Sequence, residues 1–367
     1  MSDALRNAGR ISVSDKDARM ERVLSPSEFL PGWVIYGPLV IFWILSGLRY
    51  RDFAVATLAN PHIPSGGLCN ESKSEILAQG GPDATRHVAP WRTFPTGPAA
   101  FETALKEMSA AGFSFPVVLK PDIGCKGAGV RLVSSREQLR DTLRQYADDT
   151  LVMLQAFIPY ENEAGIFYSR QPTEQHGRIL SMTFKSPPEV TGDGVRTLRD
   201  LVLAHPRAGK VPHIYLPRLT GRLDTIPKQG ERVRLVFTGN HSKGSQFRDA
   251  TSLVSRQLSE RIDRIAQSYP DFHHGRIDLR FRSIDSLRAG QDFQIIEVNG
   301  IGSEPIHMWS PEKNLLDIYR IQFDFYGRAF RIGDLMKKRG HRGAGTMNML
   351  WQWRRQTALI ATYPQSE

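Results

Sequence analysis

Between residues 275 and 282 the chain alternates strictly: Ile277, Leu279 and Phe281 take one face, and Arg276, Asp278, Arg280 and Arg282 take the other. Period-two alternation predicts a half-buried strand whose polar side meets water or a ligand. A second run, Phe293–Asn299, predicts another strand and ends at Gly300. Glu297 and Asn299 lie two apart and point one way, with Val298 opposed. If the two strands are neighbours, Asp278, Glu297 and Asn299 converge. Two carboxylates and an amide oxygen suit a hard cation, although the same residues also serve as strand caps or a wet sheet face.

Upstream, the pattern predicts an α+β succession. Helices are expected at 71–79 and 99–111 and strands at 115–120 and 129–133. Ser134 and Ser135 with Glu137 and Gln138 then form a capping box for a helix ending near Tyr146. Further strands are expected at 151–157, 165–169, 179–185 and 232–237, with helices at 255–268 and 315–326. Residues 187–230 read as an insertion with long loops. Residues 52–95 are rich in turn formers such as Asn60-Pro61 and Pro64-Ser65-Gly66-Gly67, and leave little room for a complete α/β domain. The expected organisation is a flexible polar lead over 1–28, an apolar and turn-rich region over 29–96, a main domain over 97–330 and a basic tail over 331–367.

One run lacks amphipathic patterning. Residues 29–48 carry no charge and include Trp33, Ile35, Leu39, Phe42, Trp43 and Leu45. Twenty helical residues span roughly 30 Å, the depth of a bilayer core. Pro31, Gly32, Gly37 and Pro38 interrupt that helix, while Trp33, Tyr36 and Trp43, followed by Arg49 and Arg51, suit a membrane interface. Three placements stay open: peripheral contact with a membrane, a buried core helix, or a span.

Composition narrows the field. The 367 residues are 40% hydrophobic and 23% charged, which is ordinary for a globular chain. A net charge of +10 favours anionic partners such as nucleotides, phosphates or an anionic membrane surface. Nucleic acid is not expected. Part of the excess is local: Arg328, Arg331, Lys337, Lys338, Arg339, Arg342, Arg354 and Arg355 load the C-terminal stretch. Cys69 and Cys125 form no metal spacing or disulfide framework, and the first 28 residues hold no cleavable signal pattern. A cytoplasmic protein, peripheral at the inner face of the membrane, is the expectation.

Between the strand ending at Lys120 and the next one, Gly124, Gly127 and Gly129 let backbone amides approach an anion. Taken alone, this is as well explained by a plain hairpin, and it lacks the ending of a P-loop. His273-His274 reads as a loop pair rather than a metal site, and His307 as structural. Residues 239–244 and the Gly192-Asp193-Gly194 turn are no more than turns with some reach toward phosphates.

The order of parts is more specific than any one of them. Lys120 and the glycine hairpin come first, then 151–158 with Glu161 and Glu163, then Lys185, and last Arg276, Asp278, Glu297 and Asn299. In this order the chain resembles the ATP-grasp superfamily, in its D-alanine–D-alanine ligase-like branch, over residues 97–330. Gly275-Arg276-Ile277-Asp278 matches that branch residue for residue, and Glu297-Val298-Asn299 is similar to its metal strand. The resemblance implies an ATP-grasp fold of two α+β subdomains clasping ATP, with a non-standard N-terminal region. It implies that Lys120 and Lys185 hold phosphates, with Gly124, Gly127 and Gly129 over them. Gln155, Phe157 and Ile158 would meet the adenine, Glu163 (or Glu161) the ribose, and Asp278, Glu297 and Asn299 Mg2+ or Mn2+. Arg276, with Lys185, would serve the chemistry of an acyl phosphate. The implied activity is an ATP-dependent carboxylate–amine or thiol ligase using a small carboxylate and an amine acceptor. A small-molecule kinase on the same fold, and a non-catalytic nucleotide-binding module at the membrane, are the alternatives. Two departures stand out. The ligases' N-terminal domain has no counterpart before residue 97, and residues 300–307 replace the pattern that receives D-alanine.

Overall fold

Alternating strands build two antiparallel sheets, each with one face buried under helices and the other turned toward a shared cleft. The computed structural model describes residues 25–364, apart from Lys126, Phe237, Thr238 and residues 240–243. The lead up to residue 24 and most of the 239–244 turn therefore lie outside the described residues.

The chain begins with α1 (Gly32–Tyr50), short 3-10 turns at Val55–Ala59 and Pro64–Gly67, α2 (Lys73–Ala78) and α3 (Pro82–Thr85). Then come β1 (Trp91–Pro95), α4 (Ala100–Ala111), β2 (Val117–Pro121), β3 (Arg131–Val133), α5 (Arg136–Leu143) and β4 (Leu151–Ala156). These strands pair in the order β1-β4-β2-β3. Their inner face packs Phe94, Leu119, Val152 and Leu154 against Ala104 and Met108 of α4 and Leu139 of α5.

A second sheet follows from β5 (Asn162–Ser169) and β6 (Arg178–Ser186). The expected insertion is a small unit: β7 (Glu189–Thr191), α6 (Leu198–Ala204), α7 (Pro212–Tyr215) and β8 (Arg232–Arg234), closed around its own core of Val190, Leu198, Val202 and Tyr215. The chain returns through β9 (Gln246–Asp249), α8 (Arg256–Gln267), β10 (His274–Phe281), α9 (Ile284–Arg288) and β11 (Phe293–Asn299). The order is β11-β10-β5-β6-β9. Ile277, Leu279 and Phe281 face Leu258, Ile262 and Ile265 of α8 in the largest core.

Two helices close the chain: α10 (Leu315–Lys338) and α11 (Thr346–Ile360). The sequence expectation ended the first of these at residue 326 and took the rest as a basic tail. The correction is physical. Buried Phe325, Ala329, Ile332 and Met336 carry the helical period onward, and Arg328 and Lys338 pair with Asp324 and Asp334 one turn earlier. The basic residues are the solvent side of a helix.

α1 lies along α10. Phe42 stacks on Phe323 and Trp43 meets Phe330 edge-on, both at 5.0 Å. Its other side exposes Val40, Ile41, Ile44, Leu45 and Leu48. It is not an all-round buried core helix. The turn-rich stretch also holds more than its composition suggested. β1 pairs with β4, and Asn60 is buried with its amide bonded to the backbone of Gly66, His273 and His274.

Candidate functional site

Register decides which side chains meet. Asp278 lies opposite Glu297 on β11 and opposite Gly165 on β5; Arg276 lies opposite Asn299, and Arg280 opposite Glu163. Glu163 in turn faces Lys185 on β6. One face of the second sheet thus presents Arg276, Asp278, Arg280, Glu163, Lys185, Glu297 and Asn299. All of them line a cavity of about 820 Å³ between the two sheets. Lys120, Gln155, Gly124 and Gly127 line the same cavity from the first sheet.

The central contact is a buried charge cluster. Arg276 Nε and Nη2 donate to Asp278 Oδ1 and Oδ2 at 2.8 and 3.0 Å, a bidentate fork. Lys185 Nζ lies 3.1 Å from Asp278 Oδ2 and donates to Glu163 Oε1 at 3.0 Å. Burial works against the Asp278 charge, but Arg276 and Lys185 outweigh it and hold the carboxyl below its ordinary range. Burial likewise opposes the Lys185 charge, and Asp278 and Glu163 overcome it and raise the ammonium. Gly165 leaves room for these side chains, since a Cβ would come within 2.8 Å of Ile306 Cδ1 and 3.0 Å of Asp278 Oδ1 and one of them would have to shift.

Lys120 is held differently. Its Nζ donates to Gln155 Oε1 at 2.9 Å and to the Ile296 carbonyl at 3.1 Å, and burial depresses it to about 8. It has no carboxylate within ion-pair distance among the described residues, so its direct partners are neutral. Gln155 is occupied by that lysine and by the Ala89 carbonyl. Arg280 stacks 5.0 Å over the Phe157 ring and donates to the Ile158 carbonyl, which fixes the wall that follows Gln155. Glu163 sits against Lys185, whereas Glu161 is exposed at a second, smaller cavity with Arg232 and Arg234.

The chemistry of the oxygen set can be tested against a hard cation. Asp278, Glu297 and Asn299 supply two carboxylates and an amide on adjacent strands, and Glu297 has only a 3.7 Å contact with Lys73 Nζ. The Asn299 side-chain nitrogen is buried without a hydrogen-bond partner among the described residues. All-oxygen donors with spare lone pairs fit a cation of the Mg2+ class. Among the described residues no three His, Cys, Asp or Glu side chains gather, so an amide is needed as the third donor.

Several participants escaped the sequence. Glu71 Oε1 accepts from the Gly300 amide at 2.6 Å, and burial pushes its carboxyl up to about 8 despite that bond. Lys73 Nζ reaches the Asp122 and Gly124 carbonyls at 3.2 and 3.5 Å, under the glycine hairpin. Their signal was a Gly66-Gly67 pair followed by Glu71-x-Lys73 at the start of the helix expected at 71–79. His273 and His274 are not a loop pair: both are buried, His274 opens β10, and burial lowers them to about 4 and 3. His307 lies away from the cavity lining, and burial lowers it too.

No family model and no curated protein matches the chain. Among solved structures it is similar to a bifunctional glutathione synthetase from Pasteurella multocida, at 18% identity over 69% of this chain and 36% of that one, with a TM-score of 0.35. It is also similar to the VanG D-Ala:D-Ser ligase from Enterococcus faecalis (13%, 71% and 64%, TM-score 0.38). A third is the D-cycloserine synthetase DcsG (14%, 71% and 70%, TM-score 0.37). The chain thus spans about a third of the first of these and just under two thirds of the second. At these low identities and scores the likenesses carry no inference about substrate or mechanism.

The charge cluster makes a direct prediction. Asp278→Ala leaves Arg276 and Lys185 buried with a carboxylate missing, and should cost about 3–5 kcal/mol. Urea unfolding of the variant measures it, and a loss well under 1 kcal/mol would mean that the cluster is not formed in solution.

Proposed function

We propose that this protein is an ATP-dependent carboxylate–amine ligase that works through an acyl phosphate. The observation carrying this reading is the single buried face on which Arg276, Asp278, Lys185, Glu297 and Asn299 share one cavity with Lys120 and the glycine hairpin. The adenine would lie beside Gln155, Phe157 and Ile158, with Glu163 near the ribose and phosphate junction. Lys120 and Lys185 would neutralise phosphates under the backbone of Gly124, Gly127 and Gly129. Asp278, Glu297 and Asn299 would hold Mg2+ or Mn2+, which supplies charge neutralisation when bound.

The γ-phosphoryl group passes to a carboxylate oxygen, giving ADP and an acyl phosphate. The amine nitrogen then attacks the acyl carbon. The C–N bond forms, the C–O bond to phosphate breaks, and phosphate leaves with one ammonium proton while the second goes to solvent. Positioning and electrostatics do most of this work, because a transferring phosphoryl group needs little covalent help. Arg276 carries charge to the point where it develops. A kinase reading differs only in a hydroxyl acceptor, and the cluster is too complete for a module without turnover.

A membrane surface is the second partner. α1 is 19 residues long and apolar enough to cross a bilayer by length and composition, yet its inner side is committed to α10. A span would have to strip that aromatic packing, worth about 0.5–1.5 kcal/mol per pair beyond buried area. Lying flat, the helix turns Val40, Ile41, Ile44, Leu45 and Leu48 outward, with exposed Arg49 and Arg51 at the end suited to anionic headgroups.

Three outcomes are expected. Lys120→Ala should cost about 1.5–3 kcal/mol in Mg-ATP affinity by calorimetry. The Lys120 ammonium is complete below pH ~8 and lost above it, so wild-type affinity should fall by up to about tenfold per pH unit past 8, and the variant should be flat. Unchanged affinity in the variant would sink the assignment.

Arg276→Ala should slow ADP formation by roughly a hundredfold or more while leaving nucleotide binding nearly intact, the mark of a group acting in the transition state. Hydroxylamine should trap the activated acid as a hydroxamate. A phosphorylated alcohol in its place decides for the kinase.

The protein should float with vesicles containing phosphatidylglycerol and lose them on Ile41→Glu with Leu45→Glu. Recovery from cells only with detergent would mean a span, and indifference to vesicles would remove the lipid partner.

A further inference from the structure

The cavity does not stop at Arg276. On the side away from Gln155 it continues under the first turns of α1, where one carboxylate stands without a cation. Glu304 Oε1 accepts from the Tyr36 hydroxyl at 2.5 Å, and Oε2 accepts from Trp309 Nε1 at 3.1 Å. No Lys, Arg or His nitrogen among the described residues comes within 4.0 Å of it. Its neighbour Arg276 reaches only its backbone, donating from Nη1 to the Glu304 carbonyl at 3.0 Å, because the rest of that guanidinium is spent on Asp278. Burial first, and then the Glu304 charge, push the Tyr36 phenol well above its ordinary value, so it remains a donor.

The carboxylate is bonded by two neutral donors and faces the cavity; it feels the Arg276 charge only across space, so its oxygens can still take a charge-assisted bond from a second cation. The surrounding walls are apolar. Ile35, Phe247, Ile306 and Trp309 belong to one buried cluster, and all four line the cavity. Two of them adjoin the phosphate end. Phe247 is the register partner of Lys185, and Ile306 Cδ1 is the atom that a Cβ on Gly165 would strike, beside Asp278.

We infer that Glu304, Tyr36 and Trp309 form the receiving site for the acceptor substrate, a primary ammonium carried on an apolar carbon chain. This deepens the ligase reading and rests on it for the identity of the reaction. The site would bring the ammonium within one residue of Arg276, where the acyl phosphate is held. The proton is shed to solvent before attack, and the carboxylate's part is recognition. An anionic acceptor would be repelled by the half-buried Glu304, and a hydroxyl acceptor would gain no charge-assisted bond from it.

The test uses the full chain and two matched pairs of probes: phenethylamine with phenethyl alcohol, and hexylamine with hexanol. Binding of each is measured by titration calorimetry in the presence of Mg2+ and a non-hydrolysable ATP analogue, whose own affinity is measured in the same samples. Each ammonium should bind at least about tenfold more tightly than its alcohol, the scale of one charge-assisted hydrogen bond. Glu304→Gln keeps an acceptor for Tyr36 and should erase that difference without altering nucleotide affinity. Tyr36→Phe keeps the charge and should retain most of it. Amines and alcohols binding alike, or a preference that survives Glu304→Gln, would overturn the proposal. If the nucleotide analogue fails to bind while the amine preference stands, the ligase reading falls and the ammonium site does not.

Discussion

Everything in this structure is arranged around a cost: four ionised groups, Arg276, Asp278, Lys185 and Glu163, sit on a sheet face where little water reaches. Each would be penalised by several kcal/mol alone. They are tolerable because antiparallel register sets them against one another, two cations between two carboxylates at 2.8–3.1 Å. Among the described residues that set is balanced, two positive charges against two negative. The open charges lie at its edges. Lys120 has only neutral partners among the described residues, and Glu304 has two neutral donors. Both line the same cavity as the cluster.

The N-terminal stretch makes this division possible. Gly66 and Gly67 approach Gly300 and Gly302 so closely that a Cβ on Gly300 would sit 2.1 Å from the Gly66 carbonyl oxygen. The contact is sealed by Ile301 and Gly302 amides donating to Gly66 and Gly67, and Asn60 ties the same loop to the start of β10. Only glycine permits backbone to lie on backbone in this way. A short loop therefore covers the end of β11 and delivers Glu71 and Lys73 beside it.

How far the residues announced this outcome depended on the range of the signal. The two strands at 274–281 and 293–299 were legible, because alternation is local and their polar faces carried unusual residues. Convergence of Asp278, Glu297 and Asn299 followed once the strands were neighbours. Lys120 and Lys185 were legible for the same reason, at the ends or edges of apolar runs. Glu71, Lys73 and Tyr36 were not. Each acts through a contact with residues more than forty positions away, and the local pattern, a short expected helix for Glu71 and Lys73 and an apolar run for Tyr36, says nothing of that contact. Glu304 fell in residues 300–307, one of the places where the chain departs from the resembling ligases, so no motif pointed to it. The C-terminal helices were misread because basic residues at helical spacing and a disordered basic tail have the same composition.

The fate of α1 ties these threads together. A helix with apolar residues all round has no cheap place in water, and three placements were open to it. Its packing on α10 buries one side and leaves the other bare. The same helix sends Ile35 and Tyr36 into the cavity, so its first turns face the site while its outer side faces away from the protein. A rigid rod of about 28 Å at 1.5 Å per residue thus connects an apolar exterior to an apolar chamber that ends in a carboxylate. An amine with a long apolar chain would partition toward such a surface before it meets Glu304. On the proposed reading, the bare helix and the apolar walls beside Glu304 would have one cause, an acceptor that reaches the site from an apolar phase.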